Sequence, residues 1–216
     1  MARTLDQLSR RGALVEIARQ LYTRGWMAGT AGNLSARAAP TECAVGRDAF
    51  WITASGVPKG QLEERDFLLI AVETGEVLYR PSADAKPSAE ISIHRVVYGL
   101  FPQATSCLHG HSVDASLAVH RLAPDATELL LPTLEMIKGL GIWEQDPQVG
   151  LALFQNYADV QKIAQAIGER FKASPPALPA LMIRNHGVTV WGPSLQEAYN
   201  RLECLEFLLS FVARSI

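Results

Sequence analysis

Two histidines one residue apart, in Leu108-His109-Gly110-His111, and a third in Asn185-His186-Gly187 are the residues of this chain best suited to act together on one ion. Residues 104–110 read as a strand, where side chains alternate between faces, so His109 and His111 project the same way. Gly110 adds no bulk between them. His186 falls in a turn between two strand-like pieces, where a third ligand can be presented. Three protein ligands with an open fourth position describe a catalytic site, since structural zinc sites are closed by four. Three imidazoles suit zinc and also tolerate iron, cobalt or manganese. Spacing alone leaves a plainer alternative, that each histidine is a satisfied core residue. Cys107, on the same strand face as His109, could add a soft ligand, although buried free cysteine is commoner. His94 reads as a packed helix residue and His120 as a surface one, both outside the metal.

Two loops of small residues can turn N–H groups and hydroxyls toward an anion: Gly32-Asn33-Leu34-Ser35 and Thr53-Ala54-Ser55-Gly56. Ser88 precedes a helix read from Ala89, where it would cap the first turn and stand where the helix dipole favours a phosphate. Each of these is also ordinary turn chemistry. Two carboxylates carry a double reading. Glu90 is either a charge stabilising a helix start or an acid/base group beside the histidines. Glu135 stands in the apolar stretch Leu134-Glu135-Met136-Ile137, where desolvation raises a carboxyl pKa toward neutrality. Its alternative is a partly exposed residue paired with Lys138 at i+3.

The elements that must position these groups follow from hydrophobic period and turn residues. A helix is expected over residues 5–25, with Gly25 as its stop, and strands over Leu34–Ala38, Phe50–Thr53 and Phe67–Val72. Glu73-Thr74-Gly75-Glu76 reads as a hairpin turn. Helices follow over Ala89–Leu100, 112–121, 158–172 and Ser194–Arg214, with strands at Leu181–Arg184 and Val188–Trp191. The stretch 127–150 fits no single pattern. Helices interleaved with strands argue for an α/β sheet covered by helices, and 216 residues with no visible linker suit one domain spanning 1–216.

Bulk properties narrow the partners. A net charge of −2 provides no basic field for nucleic acid. No apolar run reaches the roughly 20 residues a bilayer demands, and Met1-Ala2-Arg3-Thr4 leads straight into a helical pattern with no secretory segment. Three scattered cysteines, Cys43, Cys107 and Cys204, fit reduced thiols in a cytoplasmic protein.

Taken in order, Gly32-Asn33-Leu34-Ser35, Thr53-Ala54-Ser55-Gly56, Pro87-Ser88-Ala89-Glu90, His109-Gly110-His111 and Asn185-His186-Gly187 resemble the class II aldolase/adducin family along nearly the whole chain. The resemblance implies a three-layer α/β/α domain with a mixed central sheet, in a homotetramer with active sites between adjacent subunits. It implies one zinc on His109, His111 and His186, phosphate binding at Asn33, Ser35, Ser55, Gly56 and Ser88, and a small sugar-phosphate substrate. Glu135-Met136-Ile137-Lys138, followed by Gly139-Leu140-Gly141-Ile142-Trp143-Glu144, is similar to the branch that dehydrates 5-methylthioribulose 1-phosphate in methionine salvage. That branch makes Glu135 the general acid/base, although it often carries Gln where this chain has Leu134. Glu90 stands at the aldolases' catalytic glutamate, which keeps cleavage or 4-epimerisation of fuculose, rhamnulose or ribulose phosphates as the alternative. A non-catalytic scaffold, as in the adducin branch, would not need three histidines.

Overall fold

Strands such as Phe67–Ala71, apolar at every position, must be covered on both faces, and the layering of the chain follows from that need. The computed structural model of the protein describes residues 5–43 and 47–215. In chain order it contains α1 (Arg10–Thr23), β1 (Asn33–Arg37), β2 (Ala49–Thr53), β3 (Phe67–Ala71), β4 (Val77–Tyr79), α2 (Ile91–Leu100), β5 (Ser106–Gly110) and α3 (Val113–Leu122). These are followed by β6 (Glu128–Leu130), β7 (Gly150–Phe154), α4 (Val160–Ala173), β8 (Ala180–Ile183), β9 (Gly187–Gly192) and α5 (Leu195–Arg214). The strands form one nine-stranded sheet in the order β4-β3-β2-β1-β5-β9-β8-β7-β6. Only β7 and β8 run parallel, so the sheet is mixed.

Strand alternation sends neighbouring residues of β5 into different cores. Leu108 packs with Leu14 of α1, Ala118 of α3 and Leu202 of α5. Cys107 packs on the opposite face with Val97 of α2 and Ile163 of α4. The sheet thus lies between two helical layers, the α/β arrangement expected from the sequence.

Several boundaries differ from the sequence reading for local reasons. The first helix starts at Arg10 because the Ser9 hydroxyl accepts the Gly12 N–H and caps it there, and Leu5–Gln7 forms a separate 3-10 turn. Helix α2 starts at Ile91, and Ser88 caps the turn before it by accepting the Glu90 N–H at 3.2 Å. The unassigned stretch 127–150 holds β6, a 3-10 turn over Glu135–Leu140 and the approach to β7.

Two features aim the histidines. The β8–β9 turn passes through Asn185 at a φ of 52°, a left-handed conformation that asparagine tolerates. At Gly187 a Cβ would lie 2.2 Å from the Gly110 carbonyl oxygen, so only glycine lets the turn close on β5. Behind His111, the buried Glu206 of α5 takes the Ser112 hydroxyl, whose oxygen in turn accepts the Ala115 N–H and caps α3. The other Glu206 oxygen, Oε1, has no hydrogen-bond partner.

Burial pushes the Glu206 carboxyl up to about 7 from an ordinary 4.5, with Asp114 adding to the rise and the Ser112 hydrogen bond opposing it. Between those values the folded chain holds a proton that the unfolded chain has lost, so stability falls as pH rises through this window. Glu206→Gln removes the titration. The variant is expected to gain on the parent protein, by on the order of 2–3 kcal/mol, as pH goes from about 4 to 8. Urea denaturation of both proteins across that range measures it, and a constant difference between them would show that Glu206 carries no such burden.

Candidate metal centre

His109 and His111 leave β5 on one face, and the β8–β9 turn delivers His186 to the same point. The three rings meet edge to face with centroids 4.6–5.0 Å apart. The Nε2 atoms of His109 and His111 are 2.8 Å apart. Glu90, at the start of α2, enters the same cluster, with Oε1 2.8 Å from His186 Nε2 and Oε2 3.3 Å from His109 Nε2. One ligand atom from each of these four residues lies within 4.8 Å of all the others.

This donor set fits a divalent cation. Facing imidazole nitrogens cannot all carry protons, and lone pairs brought together without a cation repel. Burial lowers the His109 pKa, and burial together with His109 and His186 lowers His111 to about 3. Neutral imidazole is the form that binds metal. His109 Nδ1 lies 2.9 Å from the Thr189 hydroxyl across the β5–β9 pairing, a contact that fixes its ring and directs Nε2 inward.

Glu90 is 8% exposed yet ionised. Burial on its own would raise its pKa, but His109, together with hydrogen bonds from His186 and Asn33, holds it well below the ordinary carboxylate range. Asn33 Nδ2 donates to Glu90 Oε2 at 2.6 Å. The amide is oriented from behind, because Asn33 Oδ1 meets His94 Nε2 while His94 Nδ1 lies 2.7 Å from Ser35 Oγ, itself 2.7 Å from the Tyr98 hydroxyl. Burial lowers His94 to about 3, so the ring is neutral. One proton assignment satisfies the chain: Tyr98 donates to Ser35, Ser35 to His94 Nδ1, His94 Nε2–H to Asn33 Oδ1, and Asn33 Nδ2–H to Glu90.

The residues singled out from the sequence therefore divide. His109, His111, His186 and Glu90 meet, and Asn33 touches Glu90 directly. Ser55 and Gly56 lie on an exposed turn beside Ser88, because Ser55 donates its N–H to the Lys86 carbonyl and Ala54 bridges to Pro87. Ser35 does not reach an anion site. It is fully buried and its hydroxyl is consumed between His94 and Tyr98, since it shares the inward face of β1 with Asn33 but lies one step further under α2.

Of its two readings, Glu135 follows the second, an exposed residue paired with Lys138, and not the desolvated one. With three residues per 3-10 turn, Leu134, Ile137 and Leu140 share the packed side, while Glu135 and Lys138 share the outer one. The Glu135 side chain is 82% exposed and pairs with Lys138 at 2.8 Å, outside the histidine cluster. Cys107 is no ligand of the cluster. It is fully buried in apolar surroundings, which push its thiol pKa up. His120 is exposed on α3, at the edge of a cavity of about 420 Å³ bounded by His111, His186, Val113 and Leu117.

Sequence reasoning read His94 correctly as a packed helix residue outside the metal but missed Lys59 and the pairing of His94 with Tyr98 through Ser35. The pair had a legible signal, two polar rings at i and i+4 on an apolar helix face. Lys59 had none, because a lysine after a turn is ordinarily a surface residue.

The family profile described as Class II Aldolase and Adducin N-terminal domain matches residues 12–212. The chain is 52% identical over 200 residues to a methylthioribulose-1-phosphate dehydratase of Microcystis aeruginosa, covering 93% of each chain. It is 39% identical to a protein of the same name from Leptospira biflexa, covering 98% of this chain and all of the other. Among solved structures, YgbL of Escherichia coli, described as a putative aldolase/epimerase/decarboxylase, superposes with a TM-score of 0.73 at 29% identity, covering 94% of this chain and 87% of the other.

His109→Ala removes the most buried of the three imidazoles. Purified variant protein is expected to lose most of its bound divalent metal by elemental analysis while keeping its secondary structure; full metal occupancy would refute this ligand set.

Proposed function

Because the chain belongs to the class II aldolase and adducin N-terminal domain family, we propose that its metal centre serves the reaction named for the dehydratase relatives above. It is a hydro-lyase that removes water from 5-methylthioribulose 1-phosphate to give the 2,3-diketo-5-methylthiopentyl 1-phosphate, a step of methionine salvage. The observation that carries this reading is the convergence of three imidazoles and a carboxylate directly against the Asn33 and Ser88 segments. A phosphate held by those segments brings the sugar carbons to the histidines.

Within the reading, His109, His111 and His186 hold the cation, and zinc is the ion these three imidazoles favour. A divalent cation there supplies Lewis acidity that polarises a substrate carbonyl and makes the neighbouring C–H removable near neutral pH. Asn33, Ser55, Gly56 and Ser88 bind the phosphate and fix which carbon faces the acid/base group. Glu135 takes the proton from C3 and returns it to the hydroxyl leaving C4; the resulting enol becomes the diketone. The cavity bounded by Val113 and Leu117 offers the methylthio tail an apolar wall.

Glu135 points into solvent on its own subunit, so in this proposal it serves the cluster of a neighbouring copy in a homotetramer. Exposed Leu130, Trp143, Phe207 and Phe211 support such burial between subunits. Three free thiols support a reducing, cytoplasmic setting, and among the described residues no helix is long and apolar enough to cross a membrane. One observation favours a second reading, retro-aldol cleavage of a sugar phosphate: Glu90, not Glu135, is the carboxylate inside the cluster.

Two experiments separate these readings. Metal-analysed protein incubated with 5-methylthioribulose 1-phosphate is expected to yield a product lighter by one water, with activity lost to a chelator and restored by zinc. An unchanged substrate mass would sink the dehydratase, and release of dihydroxyacetone phosphate would favour cleavage. Glu135→Gln is expected to lower turnover by about 10²–10⁴-fold. Reassembling it with His109→Ala subunits is expected to restore roughly a quarter of the parent activity, because random mixing rebuilds intact sites across boundaries. Turnover no better than the sum of the two separate variants would place Glu135 in its own subunit's site or outside the reaction.

A further inference from the structure

Lys59 is the only lysine or arginine buried among the described residues, 1% exposed. A buried charge ordinarily has a carboxylate beside it, because desolvating an unpaired ion is costly. Lys59 has none among the described residues. Its Nζ donates to two neutral acceptors, the carbonyls of Thr30 and Val57, each at 3.0 Å. An ammonium has three N–H groups, so one is left over together with the whole positive charge.

Those two carbonyls belong to the two loops that frame the anion site. Thr30 precedes Gly32 and Asn33; Val57 follows Ser55 and Gly56. A further link joins the same segments, since the Leu34 N–H donates to the Thr53 hydroxyl at 3.3 Å.

We infer that Lys59 is the fixed cation of the anion-binding site, tying the 28–33 and 53–57 loops together through their carbonyls and supplying the charge that a bound phosphate dianion neutralises. The inference rests on the reading of these loops as the substrate's phosphate site. An uncompensated ammonium beneath these two turns accounts for a buried lysine that packing alone would disfavour. Burial lowers its pKa to about 8, so most of the charge is present at neutral pH before any anion binds. Lys59 is a binding and positioning residue in this account, and no proton transfer is assigned to it.

The test uses the full-length, metal-loaded protein and two variants. Lys59→Met removes both the charge and the carbonyl bonds. Lys59→Gln removes the charge but keeps an N–H donor for a loop carbonyl, so it separates charge from cross-linking. Inorganic phosphate is titrated calorimetrically into each protein, and KM and kcat are measured with 5-methylthioribulose 1-phosphate. In both variants phosphate affinity is expected to fall, and KM to rise, by about 10- to 100-fold, the range of one charge-assisted hydrogen bond. Metal content is expected to stay unchanged and kcat to stay within about threefold, because binding rather than chemistry is weakened. A Gln variant that binds phosphate like the parent protein would overturn the inference, as would a fall in kcat at constant KM. If the parent protein fails to dehydrate the substrate, the substrate reading falls by itself, and the phosphate titration still decides the role of Lys59.

Discussion

A carboxylate buried beside three imidazoles is the constraint on which the rest of this structure depends. Glu90 stays ionised at 8% exposure because Asn33 from β1 and His186 from the β8–β9 turn hydrogen-bond to it, with His109 of β5 alongside. Each comes from a different segment of the sheet's centre, so the charge can be sheltered only when that centre is assembled in register. An unpaired buried carboxylate costs several kcal/mol. The site and the fold are therefore coupled, and the network from Tyr98 through Ser35, His94 and Asn33 is the structural expression of that coupling.

The same logic explains why the polar groups of the inner face are spread over consecutive elements. Positions 33 and 35 of β1, 94 and 98 of α2, and 107 and 109 of β5 obey the two periods of strand and helix. One face of the sheet can then hold a polar core at one end and an apolar core at the other. Cys107 and Val97 continue that face into the hydrophobic cluster with α4. Gly187 and Gly32 permit the close approach on either side of β5, where a Cβ would collide with the Gly110 carbonyl and with the Met27 side chain respectively.

Outside this centre several charged and aromatic side chains face solvent. Glu135 faces solvent beside Lys138, while Phe207 and Phe211 stand exposed along α5. Under two small-residue loops a buried ammonium, Lys59, is held by neutral carbonyls alone. The candidate metal cluster adjoins a cavity bounded by His111, His186, Val113 and Leu117.

Much of this was written in local pattern. Hydrophobic period placed most helices and six of the nine strands to within about five residues, leaving β4, β6 and β7 unread; the alternation of β5 put His109 and His111 on one face, and the ordered motifs identified the family. What needed the tertiary structure were facts about burial and long-range pairing. Ser35 and Ser55 are the same residue type in similar small-residue loops, yet one is locked under α2 and the other is open to solvent. Glu135 sits among apolar neighbours in sequence and still faces out, because a 3-10 turn gives it a different side from theirs. Lys59 reads as a surface lysine and is buried. Sequence by itself determined which groups could bind metal and phosphate, since periodicity and residue type are local properties. Which of them share a charge, and which are shut away from a ligand, was decided by contacts between residues as far apart as Asn33 and Glu90, and no local pattern encodes those.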